Sequence, residues 1–520
     1  MIRKALMIEV EVTQAGGSLG ILRLTDTPFR PFSAADPDRP NGAALPLLVE
    51  VTPIISEVYS DLSSLSRSYG STEIVISMTG GDLAAYAGAT WGAITIYWGD
   101  IGPQSTPAAF AAWRPILHGR IDTVRPDLSV TGPSRLRLTC YDLRGDLDDT
   151  IQTRVYAGTN IGPAGYEGTS DDLMGKPLPL ALGDLSRANV SPPLVNVARR
   201  VYQLTDGGDF TAEDLRSGGG STGATMAGDL SSAAFDVASP ASGTYVRDRA
   251  RGLVAVGGGV VAAAFTACFK AAFGGTYVET APQLIARLLA RRFGAPTLGP
   301  GFVDASLAPA PVGLWLETGA SYADAIQVLV RSFGGWCVPD SAGVWQIGRL
   351  AAPAGLPAET LGPYQIRDLA VDDREGQQPA WRITVRYGRN YTLMRRADLA
   401  GAVAGTDQGA ALARDWREAV WSSPAVKSAY PGARDLIVET ALVYAADAEA
   451  LAADLGVLFG QTRQSLAVTV EMTPERLAYQ RGVTCVAIDY PALGPSGLYR
   501  VMGRRLLDPA QHLMTLTLWG

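Results

Sequence analysis

The sequence predicts a β-rich α+β fold of several domains, with a β-barrel or sandwich domain at each end and a mixed α/β domain between them. Short apolar or alternating segments recur near both ends of the chain, as β-strands require. Two helical patterns stand together in the middle of the sequence. The 58 glycines and 33 prolines among 520 residues supply the turns of a strand-rich protein.

Length and composition divide the chain and indicate an assembly protein. A chain of 520 residues exceeds a single core, since domains usually contain about 100–200 residues. We expect domains at residues 1–155, 156–360 and 361–520. Hydrophobic residues make up 47% of the sequence and charged residues 18%, against roughly 25% charged in typical soluble domains. This balance is typical of a protein that covers much of its surface with partners.

The first domain is predicted to consist of β-strands throughout. Gly, Pro, Asp and Ser clusters separate the candidate strands, which are residues 7–12, 21–24, 73–78, 93–98, 116–124 and 135–141. The Pro- and Asp-rich stretch 27–41 is expected to form a long insertion. Two cations and a short apolar run open the chain, but Glu9 and Glu11 interrupt that run. We therefore interpret the start as a first strand and not as a signal peptide.

The central domain is predicted to mix strands and helices. Residues 217–228, SGGGSTGATMAG, are expected to form a flexible excursion. The most apolar stretch, residues 253–269, is shorter than the roughly 20 residues that span a bilayer, and glycines at 257–259 break it. A buried strand and turn is the better interpretation of that stretch.

Two helices are expected in the second half of this domain. The first should begin at a capping box formed by Thr280 and Gln283 and end at Gly294. The second should begin at a box formed by Ser321 and Asp324 and end at the glycines that follow Phe333. A hairpin of residues 336–338 and 344–347 is predicted to follow.

The last domain is predicted to return to strands around one helix. Residues 381–387 alternate between apolar and polar side chains, which is typical of a strand with one buried face. A helix is expected near residues 446–459. Further strands are predicted at 466–472, 483–488, 498–502 and 513–519.

Charge and cysteine usage exclude several functions. The net charge of −7 argues against binding nucleic acid through neutralised phosphates, although a channel that conducts DNA needs no excess of cations. The cysteines are far apart and lack metal-site spacing, so they are interpreted as small buried side chains in a reducing compartment. They are Cys140, Cys268, Cys337 and Cys485.

Catalytic motifs are weak or misplaced. Any mechanism that needs histidine must use His118 or His512, and both stand in or beside predicted strands. Residues 16–20 match the G-x-S-x-G pattern, but a strand follows where a nucleophile elbow requires a helix, so a hairpin turn is predicted. Glycines 257–259 lack the Gly-Lys-Ser/Thr ending of a phosphate loop.

Clustered carboxylates and tryptophans are interpreted as structural. Three groups of carboxylates lack the spacing of a calcium loop and are typical of surface loops. They are Asp146 with Asp148 and Asp149, Asp171 with Asp172, and Asp372 with Asp373. Most of the ten tryptophans fall within strands and are expected in cores or interfaces, with a glycan site as the alternative. We expect no catalytic, cofactor-binding or metal-binding residues and therefore no enzyme.

Ordered segments of the sequence resemble a protein family. The segments include GKPLPLALG at 175–183, residues 189–196, LAPAPVG at 307–313, GVWQIGRL at 343–350 and WRITVRYGRNYT at 381–392. Residues 117–121 and 136–142 near the front, and 497–503 and 515–520 at the end, add to them. In this order they resemble hub proteins of the tail tip or baseplate of long-tailed bacteriophages.

The resemblance implies a structural virion protein that closes the tail tube. Its β-barrel domains would continue the tube wall, anchor spike or fibre proteins and open for DNA ejection on host attachment. It implies a homotrimer, with a hexamer as the alternative, and neighbours that include the distal tail or tube ring and the tape measure. Genomic DNA would pass the lumen without sequence-specific binding, and the protein would be made in the host cytoplasm.

Two other functions remain open at the level of sequence. The central domain and its aromatic residues fit a receptor- or glycan-binding protein of the tail tip. A tail-associated cell-wall hydrolase is the third hypothesis, because some hubs carry an enzymatic domain as an extension. Here the final residues resemble the closing strands of the hub itself, so we expect no such domain.

Overall fold

A computed structural model gives the architecture of the chain. The residues that it describes are 3–13, 17, 19–61, 65–78, 86, 88–128, 133–162, 164–261, 263–371, 378–494, 496–508 and 512–520. The turn expected at residues 16–20 falls partly outside them. The carboxylate pair Asp372 and Asp373 falls wholly outside them.

Strands dominate the front of the chain. They are β1 (Arg3–Thr13), β2 (Leu19–Thr25), β3 (Leu48–Val51), β4 (Ile54–Glu57), β5 (Tyr59–Asp61), β6 (Ser66–Arg67), β7 (Ser71–Met78), β8 (Thr90–Ile101), β9 (Arg114–Asp127) and β10 (Ser134–Asp142). Each of the six strands predicted here lies within one of these elements.

The middle of the chain alternates shorter strands with three helices. The strands are β11 (Thr159–Ile161), β12 (Ala164–Thr169), β13 (Leu180–Val190), β14 (Leu194–Asn196), β15 (Val201–Gln203), β16 (Asp209–Ser217), β17 (Gly220–Ser221), β18 (Thr225–Asp229), β19 (Thr244–Asp248), β20 (Leu253–Val256), β21 (Phe265–Ala272), β22 (Gly313–Leu316), β23 (Gly335–Pro339) and β24 (Trp345–Arg349). The helices are α1 (Ser232–Val237), α2 (Ala281–Phe293) and α3 (Tyr322–Arg331).

The last part returns to strands, as the sequence predicts. The strands are β25 (Thr360–Leu361), β26 (Ile366–Val371), β27 (Ala380–Tyr387), β28 (Arg417–Ser422), β29 (Arg434–Glu439), β30 (Ser465–Glu471), β31 (Cys485–Asp489), β32 (Ser496–Asp508) and β33 (Leu513–Trp519). The helices are α4 (Asp407–Leu412), α5 (Pro424–Ala429), α6 (Ala445–Phe459) and α7 (Pro474–Leu477).

One sheet of fourteen strands joins the two ends of the chain. Its strand order is β2-β1-β8-β9-β10-β7-β4-β32-β33-β30-β26. Off this path, β3 pairs with β7, β31 pairs with β32, and β25 pairs with β31. Apart from the parallel pair β25 and β31, its ladders are antiparallel. The sheet curves into a half-barrel, and the predicted β-rich α+β fold is confirmed. The ends of the chain thus contribute to one sheet.

The ladder between β4 and β32 is the seam of this sheet. It runs antiparallel from the pair Gly503 and Glu57 to the pair Leu506 and Ile54. The amide N–H of Val58 donates to the carbonyl of Met502 at 2.9 Å and extends the seam. Residues more than four hundred positions apart in sequence are therefore neighbours at this ladder.

Strand β1 is buried on both of its faces. Ile8 and Val10 face an apolar core that also contains Leu516 of β33. Met7, on the opposite face, packs in a second cluster with Phe32 of the insertion predicted at 27–41. This burial explains why β1 reads as a nearly continuous apolar run, since alternation marks only strands with one solvated face.

Two five-stranded sheets and a helix pair form the centre. One sheet has the order β17-β16-β21-β13-β22 and the other has the order β14-β15-β20-β19-β18. Helices α2 and α3 pack into one apolar core with the hairpin β23–β24 and with α6. The predicted strand and turn at 253–269 is confirmed, with β20 and β21 in different sheets.

The three predicted longer helices are confirmed as α2, α3 and α6. Ser321 caps α3 as expected, because its hydroxyl accepts from the N–H of Asp324 at 3.1 Å. Thr280 stands at the N-cap of α2, but its hydroxyl donates to the Gln283 side chain at 2.9 Å. In this box the two side chains bond each other, and the Thr280 side chain makes no capping bond to the backbone.

The Gly- and Ser-rich stretch 217–228 differs from the expected flexible excursion. It carries β17 and most of β18. A Cβ atom at Gly219 would lie 2.6 Å from Leu412 of α4 and 3.2 Å from the sulfur of Met394. The absence of side chains at these glycines permits close packing against the last part of the chain.

A buried ion pair supports the seam from the end of β10. Arg144 contacts the Asp142 carboxylate at 2.6 Å, and their side chains are 6% and 5% exposed. Arg144 also donates to the carbonyl of Glu57 in β4 at 2.8 Å, and Asp142 accepts from the N–H of Gly70 at 2.9 Å. The pair therefore links β10, β4 and the start of β7.

Replacing Arg144 by Met should destabilise the protein by about 3 to 5 kcal/mol, because the Asp142 carboxylate is left buried without its cation. Urea denaturation followed by tryptophan fluorescence measures this loss. Arg137→Met is the matched control, since Arg137 forms an exposed pair with Glu73 and should cost much less. Equal losses in the two variants would contradict the role of the buried pair.

Candidate functional site

The two ends of the large sheet form the candidate assembly site. At one end, the N–H of Thr25 donates to the carbonyl of Leu45 at 2.8 Å, on the side of β2 away from β1. Because backbone groups alternate in direction along a strand, the backbone N–H and C=O groups of Leu19 and Ile21 also point away from β1. Among the described residues no strand pairs with this part of β2. Leu19 is 68% and Ile21 54% exposed.

The opposite end of the sheet is the outer edge of β26. Among the described residues, β26 pairs with β30 alone. Most of its side chains are exposed, including Val371 at 46%. Apolar side chains beside unpaired backbone groups are a template for pairing with another chain. The sheet therefore presents such a template at each end.

An ion cluster fixes the position of β2 against the rest of the sheet. Glu9 of β1 accepts hydrogen bonds from Arg23 of β2 at 2.7 Å and from Arg39 of the insertion at 2.8 Å. Burial opposes ionisation of Glu9, but the bonds and charges of Arg39 and Arg23 outweigh it and hold the pKa of this carboxyl below its usual value. Glu9 thus stays charged and ties both elements to β1.

His118 lies between strand β8 and the turn of the central hairpin. Its Nδ1 is 2.8 Å from the hydroxyl of Thr95. A Cβ atom at Gly343 would lie 2.4 Å from the ring, so the turn packs directly on this side chain. Burial lowers the pKa of His118, while the charges of Glu11 and Asp340 oppose that shift. These contacts describe an imidazole packed between β8 and the hairpin turn.

His512 precedes β33 and is separate from His118. Its carbonyl accepts from the N–H of Met472 at 2.6 Å, and its ring lies 6.2 Å from that of Trp98. Its Nδ1 is buried and has no hydrogen-bond partner among the described residues. Among the described residues, no hydrogen bond joins a carboxylate to the ring of His118 or of His512.

The carboxylates singled out in the sequence are engaged in local contacts. Asp146 contacts Arg120 at 3.2 Å, and Asp149 contacts Arg292 at 2.7 Å. The Asp148 carboxylate contacts Arg67 at 3.0 Å. These pairs connect the turn after β10 to its surroundings.

The second carboxylate group closes a turn. The carboxylate of Asp172 accepts from the N–H of Thr169 at 2.5 Å, and that of Asp171 accepts from the Ser170 hydroxyl at 3.3 Å. Asp372 and Asp373 lie outside the described residues. In those that are described, no cluster of His, Cys, Asp and Glu has the arrangement of a metal site.

Cysteines and tryptophans mostly lie in cores. Cys140, Cys268 and Cys485 are buried free thiols, and Cys337 is partly buried. Seven of the ten tryptophans are buried, as expected, namely Trp91, Trp98, Trp113, Trp315, Trp336, Trp345 and Trp519. The three in the central segment, at 315, 336 and 345, are among them, so they offer no exposed platform for a sugar.

Sequence reasoning missed two buried arginines, Arg481 and Arg504. Both line a cavity of about 670 Å³ between the seam and the central hairpin. Nothing in the local sequence marks them, because an exposed arginine, Arg505, stands directly beside one of them in the same strand.

In the part of the chain that the structure describes, no helix has the length and apolar character needed to cross a membrane.

Comparison with known proteins gives similarity at the level of structure alone. The chain matches no protein-family model, and it matches no curated protein. A tail protein from Neisseria meningitidis is 13% identical, with 99% of this chain and 96% of that chain covered and a TM-score of 0.42.

Two prophage tail proteins are similar over the same span. The 43 kDa tail protein of prophage MuSo2 from Shewanella oneidensis is 11% identical, with 98% and 96% of the chains covered and a TM-score of 0.41. Tail protein gp18 from a Listeria monocytogenes prophage is 7% identical, with 98% and 94% covered and a TM-score of 0.40. At such identities and TM-scores the similarity carries no conclusion about function.

The lowered pKa of His118 predicts a pH-dependent stability. The unfolded imidazole has its ordinary pKa near 6.5 and the folded one a lower value, so the stabilisation is present above the unfolded pKa and is lost as the pH falls through the folded pKa. Between about pH 7.5 and about pH 5, the wild type should lose more free energy of unfolding than His118→Gln. Urea midpoints at both pH values measure the difference, and parallel losses would show that His118 is not held neutral.

Proposed function

We propose that this chain is a structural protein of a bacteriophage tail tip, the hub that closes the tail tube. The observation that carries the proposal is the half-barrel sheet built from both ends of the chain, with one open edge at β2 and another at β26. The ordered sequence segments that resemble tail hub proteins support it independently. In this role the protein acts by position and not by catalysis.

The two open edges suit assembly into a ring of identical copies. Edge β2 of one copy would pair with edge β26 of the next, which is a heterologous contact between different surfaces. Such contacts generate a closed ring when the rotation between copies closes, and closure covers the edges at β2 and β26. We propose three copies in the ring, in agreement with the hubs that the sequence resembles, and the ring would continue the wall of the tube.

The proposed partners follow from this position. A tube or distal tail ring and the tape measure would contact one face of the ring, and spike or fibre proteins the other. Genomic DNA would pass through the lumen after attachment. The chain carries a net charge of −7, which suits passage without retention, since phosphates are not attracted to an acidic wall. The protein would be located at the tail tip of the virion.

A non-enzymatic role is supported by the engagement of the candidate groups. His118 is bonded to Thr95 and packed against a turn. The Asp146, Asp148 and Asp149 carboxylates contact arginines.

The ring predicts that a charge at the β2 edge blocks assembly. A lysine side chain on an edge strand is poorly compatible with a neighbouring strand, so Ile21→Lys should convert the trimer into monomers of 54.7 kDa. Mass photometry across a concentration series measures this change. The matched control is Val303→Lys, which places lysine at another exposed apolar position outside the large sheet and should leave the trimer intact.

Two outcomes would contradict the proposal. The first is a wild-type protein that stays monomeric when it is mixed with the neighbouring tail proteins of its phage. The second is a ring that forms equally well with Ile21→Lys. Because Ile21 is an exposed side chain at the end of the sheet, the variant should retain the circular dichroism spectrum and urea midpoint of the wild type.

A further inference from the structure

A cavity of about 670 Å³ lies beside the seam of the large sheet. The turn of the hairpin β23–β24 forms one wall, and α7 with the residues that follow it forms another. The seam strand β32 contributes Arg504, and the start of β9 contributes Arg114 at the opening. The volume is large enough for a small ligand or a side chain of another protein.

Arg504 enters the wall of this cavity with little exposure. The residue is 5% exposed. Its guanidinium donates to the carbonyl of Leu477 at 2.6 Å and to the hydroxyl of Ser341. Both acceptors are neutral, so neither balances the charge.

Arg481 lies in the same wall and is 7% exposed. Its guanidinium donates to the hydroxyl of Ser56 and to the carbonyl of Pro339, which are again neutral. Among the ion pairs between described residues, none includes Arg481 or Arg504. Two buried cations therefore share this wall without a carboxylate in contact.

Two carboxylate residues, Asp340 and Glu475, also line the cavity, and the charge of Asp340 acts on both cations without forming an ion pair with either. Asp340 accepts from the N–H groups of Ala342 and Val344 at 2.9 and 3.0 Å, which fixes the hairpin turn. Asp142 is paired with Arg144. Burial lowers the pKa of Arg481 to about 9, with the charge of Arg504 contributing, and lowers that of Arg504 to about 10.

We propose that this cavity binds one oxyanion group, either free phosphate or a carboxylate, through Arg481 and Arg504. A guanidinium matches the oxygens of such a group and forms charge-assisted bonds with them. A bound anion adds to the partial balance that the charge of Asp340 gives the two buried cations. This site is separate from the sheet edges and does not depend on ring assembly.

Thermal unfolding with added anions tests the proposal. Inorganic phosphate or acetate should raise the melting temperature of the full-length wild type above the value in chloride at equal ionic strength, because a ligand of the folded state stabilises it. A shift with phosphate alone identifies a tetrahedral anion, and a shift with acetate alone identifies a carboxylate. No shift with either anion overturns the proposal.

Variants locate the binding. Arg504→Gln should raise the dissociation constant of the anion, measured by isothermal titration calorimetry, at least tenfold. Arg505→Gln is the matched control, since this adjacent arginine is exposed and does not line the cavity, and its affinity should equal that of the wild type. Equal affinities of Arg504→Gln and the wild type, or equal losses in both variants, would mean an adventitious ion only.

A second variant covers the case in which Arg504→Gln does not fold. Arg481→Gln removes the other cation from the wall and keeps Arg504. It should also weaken binding at least tenfold, and unchanged affinity in Arg481→Gln would overturn the proposed mode of binding.

Discussion

The pairing of β4 with β32 is the contact on which the large sheet depends. It places residues 54–57 beside residues 503–506, so the sheet and the core beneath it exist only when the two ends of the chain meet. The core contains apolar side chains from both ends, including Ile8 of β1 and Leu516 of β33. Contacts this distant in sequence carry a large loop-closure cost, which the buried apolar area on both sides of the seam must offset.

Polar side chains give this seam its register. Asp142 and Arg144 bond each other, and Arg144 reaches the carbonyl of Glu57 in β4. A Cβ atom at Gly70 would lie 2.4 Å from the Asp142 carboxylate, so only glycine permits this approach. A one-residue slip of β4 would move Glu57 away from Arg144. It would also turn the apolar side chains of β4 out of the core.

The same seam accounts for the features proposed as functional. Since β4 and β32 join two groups of strands in line, the sheet continues outward to β2 on one side and to β26 on the other, and each of these strands pairs with a single strand among the described residues. A barrel closed within one chain would have no such edges. The cavity with Arg481 and Arg504 lies where the central hairpin crosses the seam. Assembly and anion binding are thus both proposed for places that the joining of the chain ends creates.

Local patterns in the sequence were sufficient for the individual elements. The alternation of residues 381–387 predicts β27, and the apolar stripe of residues 446–459 predicts α6, because each depends on side chains within one element. The capping box at Ser321 likewise involves neighbours only. These elements were found at the expected places.

The pairing of distant strands could not be predicted from local patterns. No local feature of Glu57 indicates that Gly503 will be its partner, since register depends on the whole fold. Arg504 and Arg505 are adjacent and chemically identical, yet the first is buried and the second exposed. Alternation predicts that they face opposite sides, but only the register of β32 decides which one faces inward. The sequence alone therefore could not predict the cavity.

A reconstruction by electron cryo-microscopy of the tail particle that contains this protein tests the proposed hub most directly. We expect a threefold ring at the tip of the tube, in which β2 of each copy is hydrogen-bonded to β26 of its neighbour. Copies placed elsewhere on the particle, or a ring in which both edges face solvent, would contradict it.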